Sequence, residues 1–453
     1  MHHTKAIILI LFFASTIPLT AALSQEVKPS GGAPDTAITA PTAAPEPPVD
    51  KGDTAWILTS SALVLMMTIP GLFLFYGGLV RAKNVLGTIM QSFVVVALIS
   101  IQWVLWGYSL AFGPDVGGWI GSLAWVGLDS VGATPNPAYA ATIPHQAFMV
   151  FQMMFAIITP ALITGAIAER TKFGTFIVFV LLWATFVYDP LAHWVWGKGW
   201  MGAMGALDFA GGTVVHISSG FSALAAAYFL GRRVGYGYET LTPHNLPFTV
   251  IGASLLWVGW FGFNAGSALA ADGLATIAFV TTNTAAAAAA LAWMFTEWFT
   301  HGKPTALGAA SGAVAGLVSI TPAAGFVGPL SAIIIGAVGG MLCYKACNLK
   351  AALGYDDSLD VVGVHGIGGT WGALATGLFA SKAINPAGND GLFYGNPAQF
   401  GVQAVTVVAT IAFALLMTFI ILAILKATMG LRVSEEEERM GLDLTQHNER
   451  GYA

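Results

Sequence analysis

Charge is what this sequence has least of. Only 9% of its 453 residues are Asp, Glu, Lys or Arg, against about 25% in an average soluble domain, which excludes an ordinary water-soluble globular protein. Lys and Arg together number 18 and the formal net charge is −5. No basic surface of that size can neutralise a phosphate backbone, so nucleic acid is excluded as a partner. Cysteine is almost absent too. Cys343 and Cys347 alone build neither a disulfide framework nor a zinc site; spaced i,i+4 in an apolar run, they read as small buried hydrophobes.

What is present in quantity is apolar: 56% of the chain is hydrophobic, with 54 glycines and 14 tryptophans. That balance fits a polytopic helical membrane protein, in which Gly is frequent and Trp gathers at the two interfaces. His2, His3 and Lys5 precede an apolar run, Ala6 to Leu19, followed by Ala21, Ala22 and Ser24. This pattern predicts a signal peptide over 1–24, its apolar core being too short to cross a bilayer. Residues 25–53 are rich in Pro, Ala and Thr and poor in large apolar side chains, which predicts a disordered linker outside the cytoplasm.

Beyond the linker, long apolar segments alternate with short polar ones at roughly 55–78, 86–112, 146–168, 173–197, 209–230, 247–268, 274–300, 305–321, 328–347, 364–383 and 398–429. Strand-like alternation is absent and runs such as Ala285 to Ala290 favour helix, so a closed β-barrel is excluded. The expected fold is therefore an all-α polytopic membrane protein with eleven transmembrane helices. With the N-terminus outside, Lys28, Lys51, Lys198 and Lys382 are the only mature-chain positive charges left there, Lys5 belonging to the signal peptide. The positive-inside rule then places the C-terminus in the cytoplasm; the expected location is the inner (cytoplasmic) membrane. Eleven spans divide as five, five and one, and two groups of five must run with opposite topology: an inverted repeat plus a final helix. The domain expected over 54–430 is followed by a cytoplasmic tail, 431–453.

Two polar clusters occupy matching places in the halves. Asp208 and His216 sit at the start of and within the fifth span; Asp360 and His365 do the same in the tenth. An ionisable residue inside a span marks a functional site by default. A lone histidine there usually just bonds a backbone carbonyl, but a symmetric pair flanked by Gly366, Gly368 and Gly369 suits two facing rings on closely approaching helices. A zinc pair lacks a third ligand. The bland role of Asp208 and Asp360 is to cap their helices; the functional one for Asp208 is to support a cation site. Asp189, beside Pro190, reads as a solvated charge near the outer surface, and the acidic run Glu435 to Glu438 as a solvated helix face. No Ser/Lys, Asp/Asp or His-Glu-x-x-His arrangement stands within the spans, so no enzyme activity and no cofactor is expected.

The run 208–216, Asp-Phe-Ala-Gly-Gly-Thr-Val-Val-His, resembles the signature of the Amt/Mep/Rh ammonium transporters. So do 73–81, Phe-Leu-Phe-Tyr-Gly-Gly-Leu-Val-Arg; 165–170, Gly-Ala-Ile-Ala-Glu-Arg; 192–197, Ala-His-Trp-Val-Trp-Gly; 260–267, Trp-Phe-Gly-Phe-Asn-Ala-Gly-Ser; and 360–366, Asp-Val-Val-Gly-Val-His-Gly. The resemblance is closest to the bacterial Amt branch. It implies that Trp196 and Ser267 recruit ammonium with Asp208 as buried support, and that Phe155 and Phe263 gate the pore. His216 and His365 would line the path and relay a proton, while Gln152, Trp260 and Asp360 assist. It also implies a homotrimer, substrates of ammonium, ammonia or methylammonium, and a tail that packs on a neighbouring subunit and takes part in binding a PII signalling protein. On that reading ammonium is bound, deprotonated and conducted as ammonia, with the proton co-translocated through the histidines so that transport is electrogenic. A sensor with little flux is the alternative function.

Overall fold

The structure, a computed structural model, describes residues 48–452. The expected signal peptide, 1–24, and the linker up to residue 47 lie outside the described residues. Helix begins at Lys51, where the Asp50 carboxylate accepts the Asp53 N–H, slightly before the domain boundary expected at 54.

Eleven helical rods follow, α1 Lys51–Leu79, α2 Ala82–Phe112, α3 His145–Ile167, α4 173–195, α5 Gly212–Leu230, α6 Leu246–Ala265, α7 Gly273–His301, α8 Ala306–Ile320, α9 Pro329–Leu353, α10 362–379 and α11 Pro397–Thr428. Among the described residues nine helices are long and apolar enough to cross a membrane; α8 has 15 residues, and α10, rich in glycine and carrying His365, is less apolar than the nine. Helices prevail because a hydrocarbon solvent leaves every N–H and C=O to be satisfied within the segment. Their ends are written locally: Asn245, Asp272 and Thr305 cap α6, α7 and α8, Pro329 and Pro397 open α9 and α11, and Gly302 and Gly354 close α7 and α9 in the left-handed region.

The repeat is visible in the packing. α1 lies on α3 as α6 lies on α8, and α3 meets α5 as α8 meets α10, while α11 covers α5 and α10. α3 runs through the interior, with every residue from Phe151 to Ile167 buried. α5 and α10 cross so closely that a Cβ on Gly220 would stand 2.2 Å from the Gly366 nitrogen, and one on Gly369 would stand 2.9 Å from His216 Cβ. Only glycine permits that approach.

One face of the bundle is closed by charge. Glu169, buried after the end of α3, accepts from the Arg81 backbone N–H and guanidinium, from Asn84 Nδ2 and from Arg233. Arg233 also forks onto Asp356, with nitrogen–oxygen distances of 2.9 Å. Burial alone would raise the Glu169 carboxyl; Arg233 and Arg81 outweigh it and hold it down at about 2. The C-terminal tail docks on this same face. Its short helices α12, Glu435–Met440, and α13, Leu442–His447, exchange caps with α2: Asn84 Oδ1 accepts the Leu442 N–H and Asp443 accepts the Gly87 N–H. The acidic run is not a solvated face throughout. Glu438 is buried, accepting from Arg432 and from the Val234 N–H, because the tail folds back on its own chain.

Candidate functional site

A left-handed turn at Gly211, φ +114°, brings the chain back over Asp208 as α5 begins. One Asp208 oxygen accepts the N–H groups of Gly211 and Gly212 at 2.8 and 2.6 Å; the other accepts Thr213 N–H and its hydroxyl. A carboxylate so engaged has no lone pair left to hold a ligand directly; it neutralises the positive end of α5. Its backbone carbonyl accepts the Trp196 indole N–H at 2.9 Å, so Trp196 is tied to the same turn with its ring half-exposed.

Inward from Trp196 the aromatic rings form a series. Phe155 meets the Trp196 ring edge-on at 5.8 Å, and Phe263 lies against Phe155 at 4.2 Å. Ser267, one turn beyond Phe263, donates its hydroxyl to the Phe263 carbonyl at 2.9 Å, which leaves its oxygen lone pairs as acceptors. Phe263 is followed by His216 at 6.1 Å. Trp260 stacks on His216 at 5.5 Å and is itself fixed by an N–H bond to Thr321 Oγ1 at 2.9 Å. His216 and His365 then face one another with Nδ1 atoms 3.2 Å apart, so one ring donates and the other accepts. The cavity running past them is otherwise apolar, lined by residues such as Ile158, Leu162, Val215 and Leu256; the Tyr76 hydroxyl at its wall is spent on the Leu162 carbonyl.

Local backbone explains the precision. His216, Phe263 and His365 all stand in π-helical turns, 212–217, 261–265 and 362–367, a wide winding that occurs mostly at functional sites. Nothing in the sequence signals these turns.

The structure corrects two acidic residues. Asp360 does not cap α10; it is half-exposed, has φ +63° and pairs with Lys350 at 2.6 Å. Asp357 caps instead, its carboxylate accepting the Val362 N–H at 2.7 Å while buried. The signal was available: Asp357 precedes His365 by the same eight residues that separate Asp208 from His216. Asp189 is not a solvated charge. It is fully buried and accepts from Gln102 Nε2 at 2.8 Å, because its helix turns inward against α2. Gln152 is buried on α3 a turn before Phe155, its Oε1 without a hydrogen-bond partner.

Comparison with known proteins agrees over nearly the whole domain. Residues 55–452 match the family model described as Ammonium Transporter Family. An ammonium transporter of Bacillus subtilis is 55% identical over 405 residues, covering 89% of this chain and 99% of that protein. The crystal structure of Mep2 from Saccharomyces cerevisiae superposes with a TM-score of 0.81 at 39% identity, covering 86% of this chain and 89% of that one. A solved structure described as a sensor Amt protein gives the same TM-score at 30% identity, covering 87% and 98%. The paired histidines, the aromatic series and these likenesses together establish that the chain belongs to the ammonium transporter family.

Proposed function

We propose that this protein takes up ammonium by stripping its proton and conducting ammonia past the two histidines, with the proton carried inward through the same pair, so that transport is electrogenic. The observation that carries the reading is the 3.2 Å His216–His365 contact in an otherwise apolar cavity beneath two touching phenylalanines. A bare ion cannot cross about 30 Å of apolar surroundings, whereas a neutral molecule can. Trp196 offers a ring face for a cation and Ser267 an acceptor for its N–H, while Asp208 supplies negative charge at second hand. Phe155 and Phe263 close the route beneath them, and Gln152 stands beside that gate. Trp260 orients His216. Potassium, which has no proton to lose, is excluded at the deprotonation step. Methylammonium fits the same chemistry as a larger substrate.

The face bearing Trp196 is the outer one in this proposal, and the arginine-rich face with the tail is cytoplasmic, in the inner membrane. The protein works as a homotrimer with one path per subunit, and its tail meets both a neighbouring subunit and a PII-type signalling protein. The likeness to a sensor Amt protein favours a second reading, a receptor with little flux. Purified protein in liposomes on a solid-supported membrane separates the two. Transport predicts a saturable ammonium-specific current, absent with potassium and lost when both histidines are replaced by leucine. Ammonium-quenched tryptophan fluorescence without current would favour electroneutral ammonia passage or the sensor, and an unchanged current in the double variant would sink the proton relay.

A further inference from the structure

Between α2 and α4, away from the cavity just described, lies a second buried polar cluster. Gln102 donates Nε2–H to Asp189 Oδ2 at 2.8 Å and more loosely to Thr185 Oγ1 at 3.3 Å; Trp106 donates to the same Thr185 oxygen at 3.0 Å. Gln102 and Asp189 are buried, at 1% and 0% exposure. Two oxygens in the pair have no partner: Asp189 Oδ1 and Gln102 Oε1. No Lys, Arg or His lies within ion-pair distance of Asp189 among the described residues. The other ionisable groups of this half are engaged elsewhere or neutral. From α2 and α3, Tyr108 and His145 bond each other at 2.6 Å; on α4, His193 is held by Asp115 and the Ala111 carbonyl; Tyr188 has a buried hydroxyl without a partner.

An unpaired carboxylate in such a place would be very costly, and each orphaned acceptor adds its own penalty. A single hydrogen removes all three costs. We propose that Asp189 carries a proton on Oδ1 and donates it to Gln102 Oε1, closing an eight-membered acid–amide ring whose other edge is the observed Nε2–H···Oδ2 bond. The ring is a proton-holding clamp between α2 and α4, separate from the conduction path, none of whose lining residues comes from either helix. Both helices are shaped around it. Each is wound into a π turn there, Trp103–Gly107 and Ala184–Tyr188. Gly107 makes room for the amide, since a Cβ at that position would come within 2.5 Å of Gln102 Oε1. Two turns further on, just past the end of α4, is Trp196, so Asp189 is a positioning residue for the segment that leads to it.

Infrared spectroscopy of the purified full chain, in H2O and D2O at neutral pH, tests the clamp. A protonated-acid C=O stretch is expected in the unaltered protein, lost in Asp189→Asn and shifted in Gln102→Leu, which removes its acceptor. Asparagine is the neutral isostere and rebuilds the ring as an amide pair, so Asp189→Asn should keep the melting temperature while Asp189→Leu lowers it. An acid band identical in all variants would overturn the proposal. So would carboxylate bands, absent from Asp189→Asn, that shift on adding sodium, potassium or ammonium, since those would assign a cation site instead.

Discussion

Replacing Glu169 by glutamine should unlatch the charged face, and the size of the effect follows from its partners. The carboxylate is buried and accepts from Arg81, Asn84 and Arg233, residues at the start of α2 and in the segment after α5. Held at about 2 against an ordinary 4.5, it contributes roughly 3 kcal/mol to folding at neutral pH, at 1.36 kcal/mol per unit. Because the folded group is the stronger acid, that contribution is complete above about pH 5 and is lost as pH falls toward 2. It should be down to roughly 1.4 kcal/mol at pH 3. Glutamine keeps the shape but leaves the buried Arg233 and the half-buried Arg81 short of a counter-charge; removing one partner of a buried pair costs about 3–5 kcal/mol. Thermal unfolding followed by intrinsic fluorescence, in detergent from pH 8 down to pH 3, reads the gap between parent and Glu169→Gln. It should be flat from pH 8 to 5 and narrow below. A gap that stays constant into acid, or that widens, would refute the charge argument and leave only shape.

Four further outcomes follow from the same contacts. Gly220→Ala should reduce the yield of folded protein, read by size-exclusion chromatography, because the added Cβ lands 2.2 Å from the Gly366 backbone nitrogen. Gly211→Ala forces a left-handed φ of +114° on a side chain and pushes it against Val215. A loss of about 1–3 kcal/mol is expected, with weakened ammonium-induced quenching of Trp196. Trp260→Phe keeps the stacking on His216 but loses the bond to Thr321, so the ammonium current should fall several-fold with little change in melting temperature. Glu438→Ala frees Arg432 and the Val234 N–H; limited proteolysis should then clip the tail at protease concentrations the parent resists.

The rods were legible in the sequence because lipid imposes so plain a demand on composition, and eleven apolar runs became eleven helices with ends shifted by a few residues. The paired histidines were legible for the same reason: polarity in an apolar run has little other explanation. What escaped was register and curvature. Asp360 stands at the start of the tenth apolar run and reads there as the counterpart of Asp208, yet the chain leaves it half-exposed against Lys350 and uses Asp357 as the cap. Counting from the histidine, not from the span end, would have found it. Asp189 looked exposed because a charge next to proline near a span end usually is; only the partner on α2, 87 residues away in sequence, shows otherwise. The π turns and the reciprocal capping of tail and α2 depend on tertiary packing, and no residue pattern announces them.

The contact between the two histidines has a directional consequence. The helices that carry them are related by the repeat, but one hydrogen shared between two Nδ1 atoms 3.2 Å apart belongs to one ring at a time. In neutral rings, the donor of that hydrogen turns a bare Nε2 outward and the acceptor turns out an Nε2–H. A symmetric frame therefore holds an arrow: one half of the contact offers a lone pair to a guest, the other offers a hydrogen. A proton entering at the bare nitrogen and leaving from the far one would move the shared hydrogen across and reverse the arrow, so under the proposed relay the pair would be a turnstile that must be set back before the next proton can follow in the same direction.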